Sequence, residues 1–288
     1  MFSRHCFPAL AWIRLFVFTA LLASALQAHG QQRADCEKQF QPSTGQPGKD
    51  VVWVPTNDAL VLRMLDMAKV TSNDLVYDLG AGDGKIAIAA ARRFGARAVG
   101  VEYNGDMAKL AQCFVRAEGL TEKVKIIQGD IFETNFSDAT VLTLYLLPEL
   151  NLRLRPTILD MKPGTRVVSH SFLMGDWQPD QSSVSEDGAA YLWIVPAKVA
   201  GKWTFKRQNG KETFSLQLDQ TFQKLSGKAG ARSEEITQGE LKGTELTLLF
   251  SEGDVHTRLK GKVSGNRIEA EVTRNNSTAT YIGMRQAT

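Results

Sequence analysis

The chain is poor in metal ligands and in any single sign of charge. It has only three cysteines and four histidines in 288 residues. The cysteines form no CxxC pair, and His5, His29, His170 and His256 are scattered, so a zinc site has no support. Lysine and arginine number 34 against 31 acidic residues, a net charge of +3. That near balance leaves no electrostatic footprint for nucleic acid. Glycine (24) and proline (9) are too few for a low-complexity chain. No apolar run reaches the about 20 residues a membrane-spanning helix needs. Apolar residues nevertheless make up 43% of the chain, enough for packed cores, and the length suggests two domains.

The longest apolar run, Leu15 to Leu26, follows Arg4 and Arg14 and precedes small residues around Ala28 and Gly30. Basic start, short apolar stretch and small residues together are the layout of a secretory signal peptide. Residues 1–30 are therefore read as a signal, with cleavage after Ala28 or Gly30. Export, to the periplasm if the host is bacterial, is the resulting expectation, with no membrane span after cleavage. Cys36 and Cys113 then remain. Export permits a disulfide between them, while simple burial of Cys113 in an amphipathic helix is the alternative.

Residues 31–49 are polar, contain glycine and proline, and read as a linker. From there strand and helix patterns alternate through residues 50–197. Thr56 reads as the cap of a helix carrying Leu60, Val61, Met64 and Leu65. Short apolar strands follow at Leu75 to Tyr77, Ala98 to Val101, Val124 to Ile127, Val141 to Leu146 and Arg166 to Ser169. Between them lie helices at Lys85 to Phe94, Met107 to Glu118 and Leu150 to Asp160, the last expected to break or kink at Pro156. Near-continuous apolar strands separated by helices predict an α/β fold, a doubly wound, mostly parallel sheet. Beyond about Pro196 the helical period vanishes. Short alternating runs, with turns at Asn209-Gly210, Gly253-Asp254 and Gly265-Asn266, predict a small antiparallel β-barrel or sandwich over 198–288.

The chemistry is concentrated in Asp78-Leu79-Gly80-Ala81-Gly82-Asp83-Gly84-Lys85, between a strand and a helix. A nucleotide-type ligand meets a doubly wound sheet at such a turn. Glycine spacing alone leaves a dinucleotide open, since Gly82, Gly84 and Ala87 fit its fingerprint tolerably. Asp78 would repel phosphates and is placed instead for a cationic or water-bridged group. Glu102, ending the next strand, is placed to accept both ribose hydroxyls. Asp130, ending the third, is placed to accept an adenine amino group, with Ile131 covering the ring. Acids on three successive strands around a glycine turn fit a phosphate-free nucleoside such as S-adenosylmethionine.

With these residues the chain resembles class I, Rossmann-like methyltransferases. More narrowly, it resembles the mitochondrial-type lysine methyltransferases of the ATP synthase c-subunit and the adenine nucleotide translocase. The resemblance rests on Val54-Pro55-Thr56, the loop Asp78 to Lys85, the strand end Gly100 to Asn104 and Trp177 to Asp180, and spans about residues 50–195. It implies S-adenosylmethionine as cofactor, bound by Asp78, Gly80, Ala81, Gly82, Glu102, Asp130 and Ile131, with Thr56 near the methionine end. It implies an amine acceptor, either a protein lysine or a small amine. The Asn/Asp-Pro-Pro-Tyr motif of other amine methyltransferases is missing, with Leu147-Pro148-Glu149 in its place. Tyr145 and Glu149 are the candidates to guide or deprotonate the amine, with a structural role for each as the alternative. Trp177 and Asp180 lie in the loop after the fifth strand, bordering the pocket mouth or, for Trp177, simply packed, the reading favoured for that residue. Gly201-Lys202-Trp203 and Arg285 are similar to the lipocalin arrangement, in which a late arginine stacks on an early tryptophan. Two other readings stay open on the sequence: an exported, non-catalytic nucleoside-binding or scaffold module, and a NAD-dependent oxidoreductase, which Asp78 and Lys85 disfavour.

Mature protein purified from its native compartment should begin at His29 or Gln31. Intact-mass analysis reads this directly, and retention of Met1 to Leu26 would refute it.

Overall fold

The computed structural model describes residues 32–287. The segment read as a signal peptide lies outside the described residues. Five helices and fifteen strands make up the described residues, beginning with a helix over residues 32–39 (α1). The other helices are α2 (Asp58–Met67), α3 (Lys85–Phe94), α4 (Gly105–Ala117) and α5 (Pro148–Leu159).

Seven strands build the first sheet: β1 (Leu75–Leu79), β2 (Arg97–Glu102), β3 (Val124–Gln128), β4 (Val141–Leu144), β5 (Arg166–His170), β6 (Gln181–Ser185) and β7 (Gly188–Ile194). Their order is β3-β2-β1-β4-β5-β7-β6. β1 to β5 pair in parallel, and β7 returns antiparallel beside β5. The alternation of strand side chains sorts the apolar residues onto two faces. Val76 and Val141 join Leu60, Met64, Ile88 and Phe114 under α2, α3 and α4. Leu79, Leu142 and Leu144 join Leu154 and Ile158 of α5 on the other face.

Three local expectations are corrected. Asn57, not Thr56, caps α2, its side chain accepting from the Ala59 N–H at 2.8 Å. Thr56 is buried instead and faces His170. Helix α5 runs unbroken through Pro156 to Leu159. Proline at 156 forgoes the intrahelical bond to Leu152, an exposed position, while Leu154 and Ile158 stay buried. The supposed linker is ordered: α1 is bonded to α4 through the Cys36–Cys113 disulfide, with Cα atoms 5.8 Å apart.

The remaining strands close into an eight-stranded antiparallel barrel, β8 (Gly201–Arg207), β9 (Thr213–Thr221), β10 (Lys224–Ala229), β11 (Glu234–Lys242), β12 (Glu245–Glu252), β13 (Val255–Ser264), β14 (Arg267–Arg274) and β15 (Ser277–Arg285). Closure removes the exposed edges that an open sheet of this kind would carry. Inward-facing Trp203, Phe205, Leu216, Leu248 and Phe250 fill its interior. Phe205 stacks on Phe214 at 5.0 Å, and Phe214 meets Tyr281 edge-on at 5.3 Å. The Arg285 guanidinium lies 4.9 Å above the Trp203 ring, the stacking that the lipocalin likeness implies.

Sheet and barrel meet through Trp177, which is fully buried and not at a pocket mouth. Its ring stacks on Phe222 of the β9–β10 turn at 5.9 Å and tilts against Trp193 of β7 at 6.1 Å. The Gln223 side chain donates to the Gln178 carbonyl at 2.7 Å, and the Ala197 N–H donates to the Gly243 carbonyl at 2.8 Å. Asp180 accepts from the Ile194 N–H at 2.7 Å, so it braces β7.

Trp177→Ala should lower unfolding free energy by about 3–5 kcal/mol, the range for emptying a large buried aromatic site. Urea denaturation measures this.

Candidate functional site

A cavity of about 570 Å³ opens at the C-terminal ends of β1, β2 and β4, within the size range of small-molecule sites and where open α/β sheets bind ligands. Thr56, Asp78, Gly80, Ala81, Gly82, Glu102, Asp130, Ile131 and Tyr145 all line it. Glu149 does not; it lies in the first turn of α5 outside the lining.

The floor is the turn between β1 and α3. Gly82 has φ +55°, and a Cβ there would lie 2.6 Å from Trp53 Nε1. Backbone conformation and crowding therefore both require glycine. Glu102 clamps this turn to the end of β2: one carboxylate oxygen accepts from the Gly82 N–H and the other from the Asn104 N–H, each at 2.8 Å. Each oxygen keeps a lone pair for a ligand hydroxyl. Asn104 also caps α4, accepting from Asp106 and Met107.

Asp78 is buried within β1 and accepts a 2.7 Å hydrogen bond from the Thr143 hydroxyl. Burial raises its pKa to about 7, and the nearby charges of Asp83 and Glu102 push in the same direction. Burial raises the Asp83 carboxyl as well. A ligand carrying positive charge would relieve this crowding of carboxylates, whereas a pyrophosphate would aggravate it. The site therefore fits the sulfonium and ammonium of S-adenosylmethionine better than a dinucleotide.

Asp130 accepts from the Phe132 N–H at 2.9 Å and pairs with Lys49 at 2.5 Å. The Lys49 hydrogen bond holds its carboxyl below the usual range. Lys49 comes from the stretch read as a linker; lacking helical or alternating pattern, that stretch carried no signal for its role. Residues 46–56 form the outer wall of the cavity.

The other end of the cavity is apolar and aromatic. Tyr145 stacks on His170 with centroids 3.7 Å apart and on Phe172 at 6.2 Å, and Val54, Pro55, Leu147 and Leu150 complete the surface. His170 and the Thr56 hydroxyl are 3.1 Å apart. Burial, reinforced by the charge of Arg63, lowers the His170 pKa to about 4, so the ring is neutral near pH 7. The Thr56 carbonyl accepts from Lys85 Nζ at 3.1 Å, and Lys85 also pairs with Asp58. His170 and Phe172 were missed in the sequence because nothing there showed that the end of β5 packs beside Tyr145.

Residues 78–181 match the family described as ANTKMT methyltransferase domain. A protein-lysine N-methyltransferase of Saccharolobus islandicus (strain REY15A) is 43% identical over 151 residues, covering 50% of this chain and 94% of that protein. The human lysine N-methyltransferase of the ATP synthase c-subunit is 27% identical over 146 residues, and the match spans 61% of its length. A solved structure of an RNA methyltransferase from Salinibacter ruber in complex with S-adenosyl-L-homocysteine is 47% identical, with a TM-score of 0.50. It covers 51% of this chain and 96% of that one.

The Asp78 environment sets a pH dependence. With its unliganded pKa near 7, the carboxyl must ionise to meet a cationic group, so binding releases a proton below that pH. S-adenosylhomocysteine should bind more tightly as pH rises, by up to about tenfold per unit below the pKa. Calorimetric titration at about pH 6 and about pH 8 would read the change. Asp78→Asn should weaken binding and flatten the dependence; an equally steep profile in that variant would exclude Asp78 as the titrating group.

Proposed function

Because the chain belongs to the S-adenosylmethionine-dependent lysine methyltransferase family of these relatives, we propose that it methylates the ε-amine of a protein lysine. The observation that carries this reading is the joining, in one cavity, of a carboxylate-lined cofactor floor to an aromatic end, or throat, formed by Tyr145 and Phe172. The hydrocarbon stem of lysine fits an apolar wall, with the amine reaching inward.

When bound, S-adenosylmethionine supplies an activated methyl group on a cationic sulfur. The protein's part is positioning and charge balance. Asp78, Asp83 and Glu102 set a negative potential at the cationic ligand. Glu102 also fixes the Gly82 turn against which the nucleoside lies. The His170–Thr56 contact and the Lys85 hydrogen bond hold Thr56 in the wall between cofactor and throat. The Tyr145 hydroxyl is the group we assign to orient the amine and accept its N–H, while the stacked His170 and Phe172 fix the angle of its ring. Glu149, outside the lining, has no part in this scheme.

We further propose that the protein works in an oxidising, exported compartment. Support comes from the signal-like start of the sequence and from the Cys36–Cys113 disulfide, a bond that persists outside the reducing cytosol.

The test is methyl transfer from labelled S-adenosylmethionine to lysine-bearing peptides and proteins, with lysine-acetylated peptides and RNA as parallel acceptors. Label should appear on lysine and be lost on acetylation. Tyr145→Phe should lower kcat by about ten- to hundredfold, with little change in cofactor KM. Label confined to RNA, the acceptor class of the Salinibacter relative, would overturn the lysine reading.

A further inference from the structure

The outer wall of the cavity is a small hairpin with two independent fastenings. Backbone hydrogen bonds join Gly45 to the Trp53 carbonyl at 2.8 Å and Trp53 to the Gln46 carbonyl at 2.9 Å. The Gly48 N–H donates to the Val51 carbonyl at 2.8 Å, and Pro47 bridges Val52. The tip therefore falls at Lys49 and Asp50. From that tip Lys49 Nζ reaches across to Asp130, at 2.5 Å, and lies 4.9 Å over the Tyr103 ring. On the inner side Trp53 stands against Gly82. The hairpin's outer side is open, with Val52 57% exposed, so little buried surface holds it down.

Its foot is held differently. The chain enters the hairpin from α1, and Cys36 of α1 is bonded to Cys113 of α4, 77 residues away in sequence. Arg33 supports the same contact, pairing with Glu118 at 3.1 Å and lying 4.0 Å over the Phe114 ring. Helix α4 is also the one that starts at the Asn104 cap beside Glu102. The disulfide thus ties the wall of the cavity to α4, whose cap residue Asn104 donates its backbone N–H to Glu102, the clamp of the floor. An element with few buried contacts and two point fastenings is the kind that opens locally while the rest of the fold stays intact.

We propose that hairpin 45–53 is a lid over the cofactor, with Lys49–Asp130 as its latch and Cys36–Cys113 as its tether, so that loss of either speeds cofactor release. Lys49 is a gating residue in this scheme. It closes on a carboxylate of the cofactor site and leaves the throat that receives the amine untouched. The tether makes residence time depend on redox state. A dithiol such as dithiothreitol passes two electrons and two protons to the bond, giving two cysteine thiols and the oxidised reagent. The foot is then left to the Arg33 contacts and local packing. The inference rests on cofactor binding in this cavity and is independent of the acceptor.

The test measures release of tritiated S-adenosylmethionine from the full chain into excess unlabelled ligand. For Lys49→Met the dissociation rate should rise about three- to tenfold, the scale of one charge-assisted contact, with the association rate and thermal midpoint little changed. A similar rise is expected for wild type reduced with dithiothreitol and for the double variant Cys36→Ser, Cys113→Ser. Lys228→Met, which breaks an exposed pair with Glu235 on the barrel, serves as the control and should release at the wild-type rate. If the double variant fails to fold, reduction of folded wild type with circular dichroism unchanged supplies the same comparison. Unchanged release in Lys49→Met overturns the latch, and unchanged release on reduction overturns the tether. No binding by the oxidised wild type would sink the cofactor assignment itself, and the lid with it.

Discussion

Three carboxylates, Asp78, Asp83 and Glu102, meet at one end of a parallel sheet, and most of the site follows from that crowding. Placing ionised carboxylates together away from water is unfavourable unless something compensates them. Asp78, fully buried, has its pKa raised to about 7, chiefly by its removal from water and then by the charges of Asp83 and Glu102. Glu102 is compensated by the two backbone N–H groups of the Gly82 turn and the start of α4. The turn therefore lies close against β2, where a Cβ at Gly100 would stand 2.8 Å from that of Ala81, and Glu102 ends the strand. What remains is a cavity whose unmet demand is for positive charge, on the scale of a nucleoside with a sulfonium.

The two halves of the cavity are built by opposite means. The cofactor floor consists of backbone turns fixed by carboxylates. The throat consists of stacked rings, Phe172, Tyr145 and His170, with the histidine kept neutral by burial. Methyl transfer to an amine makes modest demands on acid–base chemistry and strict ones on alignment. A floor that fixes the cofactor and a wall that fixes the acceptor answer those demands without a dedicated strong base.

The barrel contributes away from this chemistry. Trp203, Phe205 and Phe250 are buried in the cluster that fills its interior. Its Phe222 stacks on Trp177, which in turn packs against Trp193 of β7. The Trp-x-Pro-Asp stretch beginning at Trp177 looked like part of a pocket in sequence because it follows β5, near the sheet edge where ligands bind. It is a joint instead: after β5 the chain runs back to Ile194, opposite Arg166 at the start of β5, where the barrel attaches and away from the strand ends that line the cavity.

Local chemistry in the sequence determined the parts that depend only on neighbours along the chain. Strand and helix periods placed the parallel sheet and the all-β region. The glycine turn with Asp78, Glu102 and Asp130 placed the cofactor end of the cavity, since each acid ends or nearly ends its own strand. Tertiary structure alone decided what depends on contacts between distant segments. It joined Cys36 to Cys113 and turned an apparent linker into the wall of the cavity. It set Lys49 on Asp130, His170 behind Tyr145 and Trp177 under the barrel. In each case the partners are far apart along the chain and carry no repeating pattern. Periodicity records which face of an element is buried; it holds no information about which distant side chain arrives there.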